Sequence, residues 1–135
     1  MASALYPKGK KRFLDKAIAM TTDDIQCAMV TASYTYSTAH EFWSSANANV
    51  VGTPTSLAGK STIVEDATFD ANDVTFNSVS GSQVTALILF YNTGVAGTSP
   101  LIAYIDSAAS GLPVTPNGGN ITVSWQATSP YIFKL

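Results

Sequence analysis

His40 is the only histidine in this chain and stands beside Glu41, so a base and a carboxylate are adjacent at one point. Hydrolysis by a triad needs a nucleophile, that base and an orienting acid brought together. Serines are plentiful, but no Gly-x-Ser-x-Gly elbow is present to hold one in an attacking position. The pair therefore reads as loop chemistry, with His40 hydrogen-bonding the segment before Phe42 and Trp43. Glu65, Asp66, Asp70 and Asp73 form the densest acidic group, and hard oxygen ligands are what a calcium ion takes. Asp70-Ala71-Asn72-Asp73 nevertheless lacks the Asp-x-Asn-x-Asn-Gly order and the closing bidentate Glu of a calcium loop. Asp and Asn side chains that bond their own backbone explain it as a turn.

Other reactive residue types read as structural. One Cys and one His cannot fill a zinc site. Cys27, inside Ile25-Gln26-Cys27-Ala28-Met29-Val30, reads as a small buried hydrophobe and not as a nucleophile. Pro116-Asn117-Gly118-Gly119 has neither the strand and helix flanks nor the Lys-Ser/Thr of a phosphate cradle, and reads as a hairpin turn with positive φ. Among the aromatics, Trp125 alternates with Val123 and Ile121 and belongs on a core face, whereas Tyr34 and Tyr36 sit in a loop and are the candidates for touching a partner. No catalytic residue, metal or cofactor is expected, and the chain is not expected to be an enzyme.

Those side chains have to be positioned by a single domain of 135 residues, long enough to remove roughly two thirds of its unfolded surface from water without a disulfide. Charged residues make up 12%, against about 25% in an ordinary soluble domain, so much of the polar surface must be Thr, Ser and Asn. Weak charge leaves little repulsion between copies and favours a protein that works in an assembly. The net charge of −2 is unevenly spread: Lys8, Lys10, Lys11, Arg12 and Lys16 face only Asp15 in the first sixteen positions, while the remainder holds two bases against eight acids. A basic segment ahead of an acidic body suits an acidic neighbouring subunit. Nucleic acid is not expected as a partner, since no aromatics interleave Lys8 to Arg12 and the body would repel phosphate. Asp15 and Lys16 interrupt what a signal peptide would keep apolar, and no run approaches the roughly eighteen residues of a membrane span. Folding in a reducing cytoplasm is expected.

β-Branched and aromatic runs joined by Gly, Pro, Asn and Ser dominate the pattern. Strands are predicted over 24–31, 61–65 continuing to 68–69, 74–76, 83–91, 101–105, 121–125 and 131–133, seven or eight in all. Thr53-Pro54-Thr55-Ser56 is predicted as a loop and Asp70 to Asp73 as a turn. Ala86 to Tyr91 has no polar alternation and should be a central strand covered on both faces. Ala39 to Trp43 is predicted as a helical turn whose aromatics plug the core. Phe13, Leu14, Ala17 and Ile18 recur at helical spacing, which predicts a short amphipathic helix over 13–20 behind a flexible basic arm, 1–12. The expected fold is an all-β, antiparallel β-sandwich, immunoglobulin-like or jelly-roll-like.

Five stretches, Asp70 to Phe76, Ala86 to Gly94, Ser99 to Asp106, Gly111 to Val123 and Ile132 to Leu135, with Phe13-Leu14-Asp15, Tyr34-Thr35 and His40-Glu41-Phe42 ahead of them, resemble a family of small structural proteins of tailed bacteriophages. The resemblance covers most of the chain and implies a virion component made in the host bacterial cytoplasm. It implies a capsid-decoration (cement) protein first, and a neck, head-tail connector or tail component second; a receptor- or glycan-binding module is the further alternative. Its expected partners are the major capsid protein, neighbouring virion subunits and other copies of itself. Lys8, Lys10, Lys11, Arg12, Phe13, Tyr34 and Tyr36 are the residues expected at that contact.

Overall fold

Apolar runs without polar alternation demand cover on both faces, and the structure provides it by placing a five-stranded sheet between two unlike layers. The computed structural model describes residues 4–63, 67–106, 112–125 and 132–134. Its elements in chain order are β1 (Ala4–Leu5), α1 (Pro7–Leu14), β2 (Ile25–Val30), β3 (Val50–Ser56), β4 (Ser61–Ile63), β5 (Thr68–Asp70), β6 (Val74–Phe76), β7 (Ala86–Tyr91), β8 (Leu101–Ile105), β9 (Ile121–Val123) and β10 (Phe133–Lys134). The large sheet has the order β1-β8-β7-β2-β3, and β10-β5-β4 and β6-β9 make two smaller ones, antiparallel throughout. This is an all-β, sandwich-like fold with one short helix, as the alternation and turn chemistry predict.

Register sorts the side chains. Cys27 opposite Leu89 and Met29 opposite Leu87 point to one face, while Ala28 opposite Ile88 and Val30 opposite Ala86 point to the other. The first set packs against Phe69, Val74, Phe76, Val123 and Ile132 from the small sheets. The second is covered by Tyr6, Tyr34, Trp43 and Ala46. Trp43 opens a 3₁₀ turn, Trp43–Ser45, two to four residues later than the predicted one, and lies flat on Phe90 with ring centroids 4.5 Å apart, so Trp43 plugs the core while Phe42 stays half-buried. Trp125 is buried and its Nε1–H donates to the Asn72 carbonyl at 3.1 Å.

Four expectations are corrected. Residues 4–12 are not a flexible arm: Ala4 and Leu5 pair with Tyr104 and Ala103, and Tyr6 N–H donates to Ile102 O at 3.0 Å. The helix spans Pro7–Leu14 and not 13–20, because Pro7 presets φ at its first turn and Lys16, at φ 61°, turns the chain away after Asp15. Ile18 still reaches the core, but from outside the helix. Val50–Ser56 is a strand, so the loop expected over Thr53–Ser56 is part of it. Its Thr55 faces Cys27 and its Val51 faces Met29, so it carries two extra residues there, with Gly52 at φ 71° and Pro54 inside the irregularity. It tolerates Pro54 because it is the outermost strand. Finally, Gly118, at φ 88°, does not sit in a hairpin: β9 pairs with β6, Val114 bridges to Val84, and Gly118 N–H donates to Val79 O at 2.7 Å. Glu65, Asp66 and Tyr131 lie outside the described residues.

Candidate functional site

The residues expected to meet a partner converge on α1, and what fixes α1 is the strip of chain around it. Tyr6 precedes the helix and is fully buried. Gly9 lies against β8 so closely that an added Cβ would stand 2.4 Å from Leu101 O, which makes glycine the only residue that fits without a shift. Phe13 stacks on Phe133, centroids 6.3 Å apart, and Phe133 in turn on Phe69 at 5.4 Å. The helix is thereby locked across the start of β8.

Beyond it lies a tyrosine cluster. The Tyr6 and Tyr34 hydroxyls are 2.6 Å apart and hydrogen-bonded, and Tyr34 Oη is 2.9 Å from His40 Nδ1. Tyr36 Oη donates to Leu5 O at 2.9 Å. Tyr6 packs on Tyr36 at 4.9 Å, and Tyr104 lies 5.8 Å from Tyr36 and 6.1 Å from Tyr34. Burial raises the pKa of all four tyrosines above the ordinary phenol value. His40 thus ends a hydrogen-bonded chain that runs from the buried Tyr6 to a half-buried position, as its reading as a loop-bonding residue anticipates, with Tyr34 as its partner. Tyr34, at 4% exposure, is part of the seat of the helix and has almost no surface to offer a partner, whereas Tyr36 is half-buried and keeps part of its surface exposed.

The basic residues divide by helical face. Lys8 and Arg12, one turn apart, both address Glu41: Arg12 Nη2 donates to Oε1 at 2.6 Å, and Lys8 Nζ is 3.6 Å from Oε2. Lys8 also donates to Ala39 O at 3.0 Å, and the Arg12 guanidinium lies 5.3 Å from the centroid of the Phe42 ring. Lys10 and Leu14 lie on the far side and Lys11 between the two, and all three are exposed, Leu14 at 88%. Lys11 pairs with Asp15 along the helix, and among the described residues Lys10 has no ionic partner. The site is therefore a rigid outward face with two ammonium groups and one bare leucine. Sequence reasoning missed Tyr6 and took Glu41 only as the neighbour of His40, not as the partner of α1; the Tyr-Pro junction, with Pro at the first helical position, was the available signal for Tyr6.

The remaining candidates stay apart from this face. Asp70 Oδ1 accepts from the next residue's N–H, Ala71, at 2.9 Å, the local role expected of it, whereas Asp73 Oδ1 accepts from Trp125 N–H at 3.1 Å and ties two distant segments together. Among the described residues, no three His, Cys, Asp or Glu side chains converge on a point that could hold a metal ion. Cys27 is wholly buried, and burial pushes its thiol pKa up. Elsewhere, an open cleft of about 380 Å³ beside β3 is lined by hydroxyl and amide groups, Thr31, Asn49, Ser80 and Ser82 among them. Comparison with models of known protein families and with curated protein sequences gives no match to this chain.

Proposed function

We propose that this chain is a non-enzymatic virion structural protein of a tailed bacteriophage, a decoration protein that binds the assembled head from outside and stabilises it. The observation that carries the reading is the outer face of α1, where Lys10, Lys11 and Leu14 are presented by a helix fixed through Gly9, Phe13 and the tyrosine cluster. A preformed face loses little freedom on docking, so a modest contact area suffices. The low charge content and the resemblance of most of the chain to phage structural proteins support the same reading. Cementing follows from repetition. Each copy binds only the assembled state of its neighbours, and the separate contributions add over the lattice and resist outward movement of any one subunit.

The test is the copy number per purified virion, by quantitative mass spectrometry against the major capsid protein. A ratio near one, or a simple fraction of it, is the expected result. About three to twelve copies would place the chain in the closed ring of a neck or tail, and absence from the particle would overturn both readings.

A further inference from the structure

We propose that Asn117 is a deamidation site that the fold holds closed, so that only chains which lose the contact between Gly118 and Val79 are converted. Asn117-Gly118 is the one Asn-Gly pair in the sequence. Its reaction needs only water. Hydroxide removes the Gly118 amide proton, the nitrogen attacks Asn117 Cγ, and a cyclic imide forms as the Cγ–Nδ2 bond breaks and ammonia leaves with a proton taken from water. A second water opens the ring at either carbonyl, giving aspartate or its β-linked isomer, and each product carries a negative charge that asparagine lacks. Glycine favours the attack, because without a Cβ nothing crowds the nitrogen and the backbone turns freely.

Exposure by itself would leave the site open. Asn117 and Gly118 are both exposed, and a Cβ added to Gly118 would meet no described atom within 4 Å, so water and hydroxide reach the pair. Hydrogen bonding closes it. Gly118 N–H, the group that must lose its proton, donates to Val79 O at 2.7 Å. Gly119 O accepts from Val79 N–H at 2.9 Å, so the same buried residue grips the turn twice. Beside it Ser78 N–H donates to Asn120 Oδ1 at 3.0 Å. The Asn117 side chain is engaged as well, its Oδ1 accepting from Gly119 N–H at 3.0 Å.

An imide nitrogen carries no hydrogen, so cyclisation would also leave Val79 O without this donor. Folding therefore opposes the reaction at two points: the proton is held before the attack, and the ring cannot restore the bond afterwards. An unfolded chain has neither restraint. The charge it gains at position 117 is a lasting record of time spent outside the native state.

The test incubates the purified full chain in mildly alkaline buffer, with and without guanidinium chloride, and follows each asparagine by peptide mapping with mass spectrometry. In denaturant Asn117 should convert faster than any other asparagine, and G118A should remove most of that conversion by crowding the nitrogen. In native buffer the conversion of Asn117 should be slower by roughly tenfold or more, as expected for a group released only when its segment opens. Base removes the same proton in amide hydrogen exchange, so exchange at Gly118, read by NMR on the native chain, should be slowed by roughly tenfold or more as well. Native conversion as fast as in denaturant, a Gly118 amide that exchanges at the unfolded rate, or a different asparagine leading in denaturant would each overturn the proposal.

Discussion

The two faces of the central sheet are built from the same strands yet covered in opposite ways. On one face Cys27, Met29, Leu87 and Leu89 meet other strands, β5, β6 and β9, whose backbone groups are already paired in their own ladders. On the other, Ala28, Ile88 and Phe90 meet loops and the segment leading into α1. Irregular cover has polar groups left to satisfy, so that side is lined with side chains that are apolar in body and polar at the tip. Tyr36 reaches Leu5 O, and Tyr6, Tyr34 and His40 satisfy one another. The aliphatic face supplies cohesion without direction. The tyrosine face supplies cohesion together with hydrogen bonds that fix where α1 sits, which places the outward lysines.

The comparison breaks most visibly if one face turns out to be expendable. Phe69→Ala and Trp43→Ala remove one large aromatic from each, and both should cost about 3–5 kcal/mol in urea unfolding. A loss below about 1 kcal/mol for Trp43→Ala would mean that the loop cover is not core. Gly9→Ala comes next. In a free helix it would gain roughly 1 kcal/mol, but here the added Cβ meets Leu101 O, so a net loss of about 1–3 kcal/mol is expected. The smallest effect sharpens the contrast. Tyr34→Phe keeps the ring and removes the link between Tyr6 and His40, at about 1–2 kcal/mol. It should also soften an alkaline limb of stability. The tyrosine pKa values are raised by folding, so their contribution is present below the ordinary value of about 10 and is lost as pH rises through the higher folded values. Circular dichroism melts across that range would show it.

What the sequence discloses follows from how local each cause is. Ala86–Tyr91 and Leu101–Ile105 are legible because an unbroken apolar run has only buried solutions. The helix is displaced because Ala17 and Ile18 imitate a further turn, while Pro7, Lys8 and Gly9 look like arm residues until β8 is seen against Gly9. Val50–Ser56 is hidden by the glycine and proline that its outermost position tolerates. The basic face is visible in the charge asymmetry, but its division is not: Glu41 lies 29 residues from Arg12, and Tyr34 lies 28 from Tyr6. No window of neighbouring residues encodes which lysines are left over.

The irregularity in β3 reaches beyond its own strand. A regular outer strand would offer evenly spaced backbone donors and acceptors to any similar strand that came near. Here two extra residues break that spacing, and Pro54 removes one donor outright. At the far side, β1 and the bridge from Phe42 to Pro100 already occupy β8. The main sheet thus ends on an interrupted strand at one side and a two-residue strand at the other, so crowding this weakly charged protein should not readily seed fibrils through it. Side chains, and not backbone ladders, then meet any neighbour that approaches along these edges.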